Sequence, residues 1–212
     1  MASKASMAAA KTTLEALYKA NQGMLRQKLD LMNVMKSELG HQAAKNGYSQ
    51  VCSIVGATMG QHVRHSMDHI EHAANMAVNS MNPLYDKPKE IHYDLRERGG
   101  SDEHDMDAAE ERILRVAQLL RDQEAQQEVD SAVTPHPDGV DVFFMLSGDP
   151  TEFRLPSTIE RELGFAVHHA IHHMAMVNIV ALQTLQLPPD LLPSDFGKAP
   201  STIVHDNQVD GN

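Results

Sequence analysis

Hydrophobic residues recur every three to four positions along three long stretches of the chain, a pattern that predicts amphipathic helices. These stretches, residues 1–82, 89–134 and 157–187, contain no proline, which would break a helix interior. A turn-like segment over residues 40–49 divides the first stretch in two. The pattern therefore predicts four helices of roughly 25–30 residues, each about 40 Å long.

The ends of the predicted helices follow from turn and capping signals. The fourth helix begins at Ser157–Glu160, the serine and glutamate spacing of a capping box, and Pro188 ends it. The others end at turn-like or proline-rich segments. The predicted helices cover residues up to 39, 51–81, 101–127 and 157–187.

One region of the sequence favours β-structure. Residues 140–146 (VDVFFML) are predicted to pair with residues 151–155 through a turn at Gly148–Pro150. The predicted fold class is therefore all-α: a four-helix bundle with crossover connections and a short β-hairpin between the third and fourth helices. Residues 1–203 are expected to form a single domain, and residues 204–212 a disordered tail.

Composition and charge narrow the class of protein. The chain has 212 residues and a net charge of −11, so no nucleic-acid partner is expected, because phosphate binding requires clustered basic residues. A single cysteine, Cys52, excludes an internal disulfide framework and fits a reducing compartment. We identified neither a secretory signal nor an apolar run of membrane-spanning length. The expectation is a cytoplasmic protein without a membrane partner.

The histidines are concentrated in two segments. Of the 13 histidines, eight lie at 62, 65, 69 and 72 and at 168, 169, 172 and 173. The first four fall within about 80° of one helical face, and the second four form two i, i+4 pairs. Residues four apart on a helix have Cβ atoms about 5–6 Å apart, so two imidazoles can bind one ion at about 2.0–2.1 Å. Taken singly, each histidine is better explained as a surface or hydrogen-bonded core residue, and it is the joint pattern that favours a metal site.

The identity of the metal site follows partly from the motifs that are absent. The zinc-protease motif is missing because Ala170 follows His169, and there is no second cysteine for a thiolate site. The Glu-x-x-His match at Glu38–His41 straddles a turn, which disfavours a di-iron bundle. A three-histidine site with open coordination positions is simplest, and it suits Zn, Fe(II), Ni or Co. Spacing alone does not decide between the pairs 168/172 and 169/173.

Four segments of the chain resemble the DinB/YfiT-like family of metal-binding four-helix bundles. They are residues 53–65 (SIVGATMGQHVRH), 93–98 (YDLRER), 161–173 (RELGFAVHHAIHH) and 196–202 (FGKAPST). The resemblance implies one divalent metal held by one histidine of the second helix and a His-x-x-x-His pair of the fourth. By position these ligands are His65, His169 and His173, with His62, His168 and His172 as alternates.

The resemblance also implies a function. It suggests a metal-dependent enzyme acting on a small molecule, of the thiol S-transferase or hydrolase type, with a low-molecular-weight thiol as co-substrate. A homodimer is the expected assembly. The alternative is a non-catalytic metal-binding or stress-response bundle. A bis-histidine haem bundle is disfavoured because aromatic residues make up only 4% of the chain.

Five other residues are candidates for supporting roles at the metal. Asp68 and Glu162 are candidate acid/base groups, or acceptors of hydrogen bonds from ligand histidines. Arg64 and Arg96 could pair with an anionic substrate group, and Tyr93 could place its hydroxyl at the edge of the site. The alternatives are solvated acids, structural ion pairs and core packing, respectively.

Overall fold

The computed structural model describes residues 4–82, 84–95, 99–129 and 139–210. This part of the chain is mostly helical and carries one small three-stranded sheet, which confirms the helical class; the four-helix bundle stays a prediction. The helices are α1 (Lys4–Leu39), α2 (His41–Tyr48), α3 (Met59–Met81), α4 (Ser101–His104), α5 (Met106–Val129), α6 (Ile159–Ile179) and α7 (Pro200–Asp210). The strands are β1 (Glu90–His92), β2 (Val140–Met145) and β3 (Glu152–Ser157).

The chain forms two compact units. The first unit comprises Met1–Gly23, Asp68–Arg98 and Leu114–Val167. In this unit Asn21 joins α1 to α6: it is fully buried, and its Nδ2 donates to the backbone oxygens of Leu17 at 2.9 Å and Leu163 at 3.1 Å. A buried amide that satisfies two carbonyls in this way fixes the two helices at one position.

The sheet lies entirely in the first unit, with β2 at its centre. β2 pairs antiparallel with β3, with Val140 opposite Ser157, which confirms the predicted hairpin. It also pairs in parallel with β1, with Ile91 opposite Val142, a strand that the sequence analysis missed. Ile91, Val140 and Val142 are buried, so this small sheet contributes one apolar face to the core.

The second unit comprises Met24–Met67, Gly99–Ile113 and His168–Asn212. Its core is rich in methionine, a flexible side chain that fills irregular gaps. The buried methionines of this unit are Met32, Met35, Met59, Met67, Met106 and Met174.

Helices α3 and α4 approach closely at Gly60. A Cβ at this position would lie 2.0 Å from the backbone oxygen of Glu103 and 2.7 Å from the ring of Tyr48. The Tyr48 hydroxyl donates to the backbone oxygen of Asp102 at 2.8 Å, which holds α2 against the same segment. Packing therefore requires glycine at residue 60, because any side chain there would collide with the backbone of α4.

Several predicted helix boundaries were wrong, and side-chain caps explain two of them. α3 begins at Met59 rather than at 51, because Thr58 and Gln61 form a reciprocal capping box: the Gln61 N–H donates to Thr58 Oγ1 at 3.0 Å, and the Thr58 N–H donates to Gln61 Oε1 at 2.9 Å. The third predicted helix is interrupted at Asp105, whose Oδ1 accepts from the Asp107 N–H at 3.0 Å. α6 is capped by Thr158, not Ser157, since Thr158 Oγ1 accepts from the Arg161 N–H at 3.2 Å.

Two further segments differ from the sequence-based expectations. Residues 41–48 form the helix α2, where a turn-like segment was predicted. The break between α1 and α2 is confined to Gly40, whose φ of 81° suits glycine. After α6, residues Val180–Thr184 form a single π turn. Pro200–Asp210 is helical, and this helix includes most of the segment 204–212 that was expected to be disordered.

One helix in the described part of the chain is long and apolar enough to cross a membrane. It spans the 26 residues Ile159–Thr184, contrary to our expectation that no such run exists. Length and composition alone do not distinguish a membrane span from the core helix of a globular protein.

Candidate metal centre

Three histidines of the second unit direct one ring nitrogen each to a common point. His65 lies on α3, and His169 and His173 lie one turn apart on α6. The Nε2 atoms of His65 and His169 are 3.2 Å apart, and those of His169 and His173 are 3.1 Å apart. Ligand atoms of all three lie within 4.8 Å of one another.

These separations match those of nitrogens that share a metal ion. Two imidazole nitrogens bound at about 2.0–2.1 Å, with about 90–110° between the bonds, are about 2.8–3.4 Å apart. Both measured Nε2–Nε2 distances, 3.2 Å and 3.1 Å, fall in this range. Two of the three pairs therefore have the separation of nitrogens bound to one ion, and both pairs share His169.

Hydrogen bonding among the three rings is a poorer explanation of the same contacts. An imidazole nitrogen carries either one proton or one in-plane lone pair. Nε2 of His169 faces both His65 and His173, so it cannot donate to one while accepting from the other. A cation at the common point can bind the lone pairs of all three nitrogens.

The electrostatic surroundings keep the buried His173 neutral. His173 is 8% exposed, and burial, together with the nearby His169, His65, His62 and His172, lowers its pKa to about 2. Burial first and His172 second also lower the pKa of His62. A neutral imidazole is the form that binds a metal ion.

The two histidine pairs of α6 differ in burial. His168 and His172 are exposed, whereas His173 is buried and His169 is half-buried. The apolar face of α6 explains this: its buried positions Leu163, Ala166, Ala170, Met174 and Val177 centre on residue 170. At 100° per residue, positions 168 and 172 point about 160° away from that face, while 173 lies about 60° from it. The same apolar positions can be identified from the sequence, so their spacing is the signal that separates the two pairs.

His62 is not part of the converging triad, but it contacts one of its members. Its Nδ1 lies 3.0 Å from Nδ1 of His173, on the side of that ring opposite the triad. The ring centroids are 5.3 Å apart, with an interplanar angle of 42°. Helical spacing placed His62 on the face of His65, but only the folded structure shows this contact.

Arg64 is engaged in a buried ion pair. Its Nε lies 2.8 Å from Oε2 of Glu103, and both side chains are 8% exposed. Glu103 also accepts hydrogen bonds from Gln61 Nε2 at 3.2 Å and from the Gly99 N–H at 3.1 Å. Burial raises the pKa of Glu103, but these hydrogen bonds and Arg64 more than offset it and hold the pKa below its usual value. This network supports a structural role for Arg64; the predicted substrate contact stays a prediction.

Two other predicted site residues meet each other in the first unit. Glu162 is fully buried, and its Oε2 accepts from the Tyr93 hydroxyl at 2.8 Å. Its Oε1 accepts from Ser157 Oγ and from Arg161 Nη1, the latter at 2.8 Å. The ring of Tyr93 stacks on His69 at 4.4 Å between centroids. We call Tyr93, Ser157, Arg161 and Glu162 the glutamate cluster.

The remaining predicted residues are placed as follows. Asp68 is 7% exposed and belongs to the first unit. Arg96 lies outside the described residues. The acid/base roles of Asp68 and Glu162 and the substrate roles of Tyr93 and Arg96 stay predictions.

Comparison with known proteins does not assign a family. No family model matches the chain, and no solved structure matches it. FK506-binding protein 5 of Rhizopus delemar is 32% identical over 120 residues, which is 54% of this chain. The match covers 27% of that protein, so this chain spans only a minor part of its length.

Proposed function

We propose that the protein binds one divalent transition-metal ion through the Nε2 atoms of His65, His169 and His173. The observation that carries the proposal is that Nε2 of His169 lies 3.2 Å from Nε2 of His65 and 3.1 Å from Nε2 of His173, contacts for which two good hydrogen bonds at one nitrogen are a poorer explanation than a shared cation. Three neutral nitrogen donors suit Zn, Fe(II), Ni or Co. The proposal includes membership of the DinB/YfiT-like family and its four-helix-bundle arrangement, which the resemblance and the helical structure support.

We further propose that the metal centre acts on a small molecule, as a thiol S-transferase or a hydrolase. Three protein ligands leave coordination positions open, as in catalytic rather than structural sites. A bound divalent ion would supply a Lewis acid that lowers the pKa of a thiol or of water. Because the three imidazoles are neutral, the ion keeps its full positive charge, which favours an anionic group such as a thiolate.

A non-catalytic metal-binding protein is the alternative function. It is favoured by the glutamate cluster, in which both oxygens of Glu162 already accept hydrogen bonds from neighbouring side chains. A carboxylate engaged in this way and fully buried is poorly placed to exchange a proton with a substrate. An enzyme would then require a different acid or base.

Metal titration tests the proposed site. We expect the purified protein to bind one equivalent of Co(II) or Zn(II), measured by elemental analysis and by Co(II) absorption. His65→Ala and His169→Ala should each weaken binding by at least about 100-fold, because a ligand is lost. His168→Ala, an exposed histidine on the same helix as His169, is the matched control and should bind as wild type does.

Spectroscopy and activity assays on the same purified protein distinguish an enzyme from a binding protein. If coordination positions are open, adding a small thiol should change the Co(II) spectrum through a sulfur-to-metal charge-transfer band. A screen with small thiols plus electrophiles, and with hydrolysable esters, should then show turnover that requires the metal. Wild-type protein that retains no stoichiometric metal contradicts the site, whereas bound metal without turnover favours the alternative.

A further inference from the structure

The contact between His62 and His173 distinguishes this cluster from a simple three-histidine site. Two Nδ1 atoms 3.0 Å apart are at hydrogen-bond distance, and one of them must carry the proton. His173 presents its other nitrogen, Nε2, to His169 at 3.1 Å. The two nitrogens of one ring thus serve two different contacts.

Metal binding at the triad determines which atom carries each proton. A neutral His173 that offers the Nε2 lone pair to a metal must carry its proton on Nδ1. The Nδ1–H of His173 is then the donor, and Nδ1 of His62 is the acceptor. The proton of His62 is in turn on Nε2, an atom that is buried and has no hydrogen-bond partner among the described residues.

We propose that His62 is a positioning residue for the metal centre. It accepts the Nδ1–H bond of His173 and thereby fixes both the tautomer and the ring orientation that direct Nε2 of His173 to the metal. Metal-ligating histidines commonly need such a partner, usually a carboxylate, a carbonyl or water. This inference rests on the proposed metal-binding function, because without a metal the tautomer of His173 is not determined.

The chemical nature of the partner has a consequence for the metal. A carboxylate in this place would add a negative charge and make the ligand histidine more basic. The imidazole of His62 supplies an acceptor without that charge. Together with three neutral ligands, it leaves the positive charge of the ion undiminished, which favours binding of an exogenous anion at the open positions.

Substitutions at residue 62 can separate the acceptor from the bulk of the side chain. His62→Leu fills the space but offers no acceptor, whereas His62→Asn can place its Oδ1 near the position of the histidine Nδ1. We expect His62→Leu to weaken Co(II) binding by roughly 10–100-fold and to alter the Co(II) spectrum. His62→Asn should restore most of the affinity, and His168→Leu, the exposed control, should match wild type.

A second measurement reports on the hydrogen bond directly. In the Zn(II)-loaded protein, nitrogen-15 NMR of the histidine side chains should show the His173 proton on Nδ1, with slow exchange against solvent. In His62→Leu that proton should exchange faster. A purely structural role for His62 would lower the melting temperature without changing the protonated nitrogen or its exchange.

The outcomes distinguish this inference from the proposed function. If wild type binds no Co(II), both fail. If wild type binds Co(II) and His62→Leu has the same affinity and spectrum, the positioning role fails while the metal site stands. If His62→Asn loses as much affinity as His62→Leu, the acceptor is not what matters, and the positioning role is again overturned.

Discussion

The glutamate cluster and the histidine triad both bury polar side chains, but they differ in how those groups are satisfied. In the first unit, Glu162 has 0% exposure and accepts hydrogen bonds from three different side chains, each of which is a donor. In the second unit, Nε2 of His169 faces the Nε2 atoms of both His65 and His173, so its single proton or lone pair must serve two contacts at once. Burial of polar groups alone therefore does not indicate a ligand site, and the triad differs from the glutamate cluster in sharing one nitrogen between two contacts.

Lys28 extends this comparison to a buried polar group whose Nζ has no hydrogen-bond partner among the described residues. The side chain is 1% exposed, and burial lowers its pKa to about 7 from the ordinary 10.5. Between these pH values the unfolded chain binds more protons than the native state, so native stability increases with pH. Each pH unit in this window changes the free energy of unfolding by about 1.4 kcal/mol.

Replacing Lys28 with methionine should have the largest effect on stability. Because Lys28→Met removes the unpaired charge, it should stabilise the protein by up to about 4–5 kcal/mol at pH 7 and much less near pH 10. Urea unfolding at several pH values measures this difference. If the difference in free energy of unfolding between Lys28→Met and wild type is the same at pH 7 and pH 10, Lys28 is not a desolvated amine.

The glutamate cluster should behave as a structural element. Glu162→Leu leaves the buried Tyr93 hydroxyl and Ser157 without their acceptor, so we expect a loss of about 3 kcal/mol in the free energy of unfolding. Metal affinity should stay within error of wild type. Glu160→Leu, two residues earlier in the same turn, is the control and should cost well under half as much. A large loss of metal affinity in Glu162→Leu would instead make the cluster part of the metal centre.

The sequence predicted where the long helices lie better than the residues at which they begin and end. Proline-free windows located the long helices, because a helix interior excludes proline. Their boundaries depended on single side chains: the capping pair Thr58 and Gln61 moved the start of α3 by eight residues from 51 to Met59. Strand β1 is three residues long, too short to show any periodicity, and it is defined only by its pairing with β2.

The candidate site was predictable in part. Spacing identified the histidines of α3 and α6, and the buried apolar positions of α6 point to 169 and 173 over 168 and 172. The approach of His62 to His173 joins residues 111 positions apart, so no local pattern could reveal it. Likewise, Glu162 and Tyr93 were each candidates for catalysis, and only their mutual hydrogen bond shows that they satisfy each other.

The two clusters should also differ in how Zn(II) affects stability. A ligand that binds only the native state stabilises the native state. With free Zn(II) at about 100 times its dissociation constant, the gain is about 2.7 kcal/mol, or roughly 5–10 °C in melting temperature for a chain of this size. His169→Ala should abolish this gain, since only two ligands of the triad remain. Glu162→Leu should keep it in full while melting at a lower temperature throughout. Thermal unfolding of the variants with Zn(II) and with a chelator measures both. An equal Zn(II)-dependent shift in wild type and His169→Ala would place the bound metal elsewhere and remove the physical distinction drawn between the triad and the glutamate cluster.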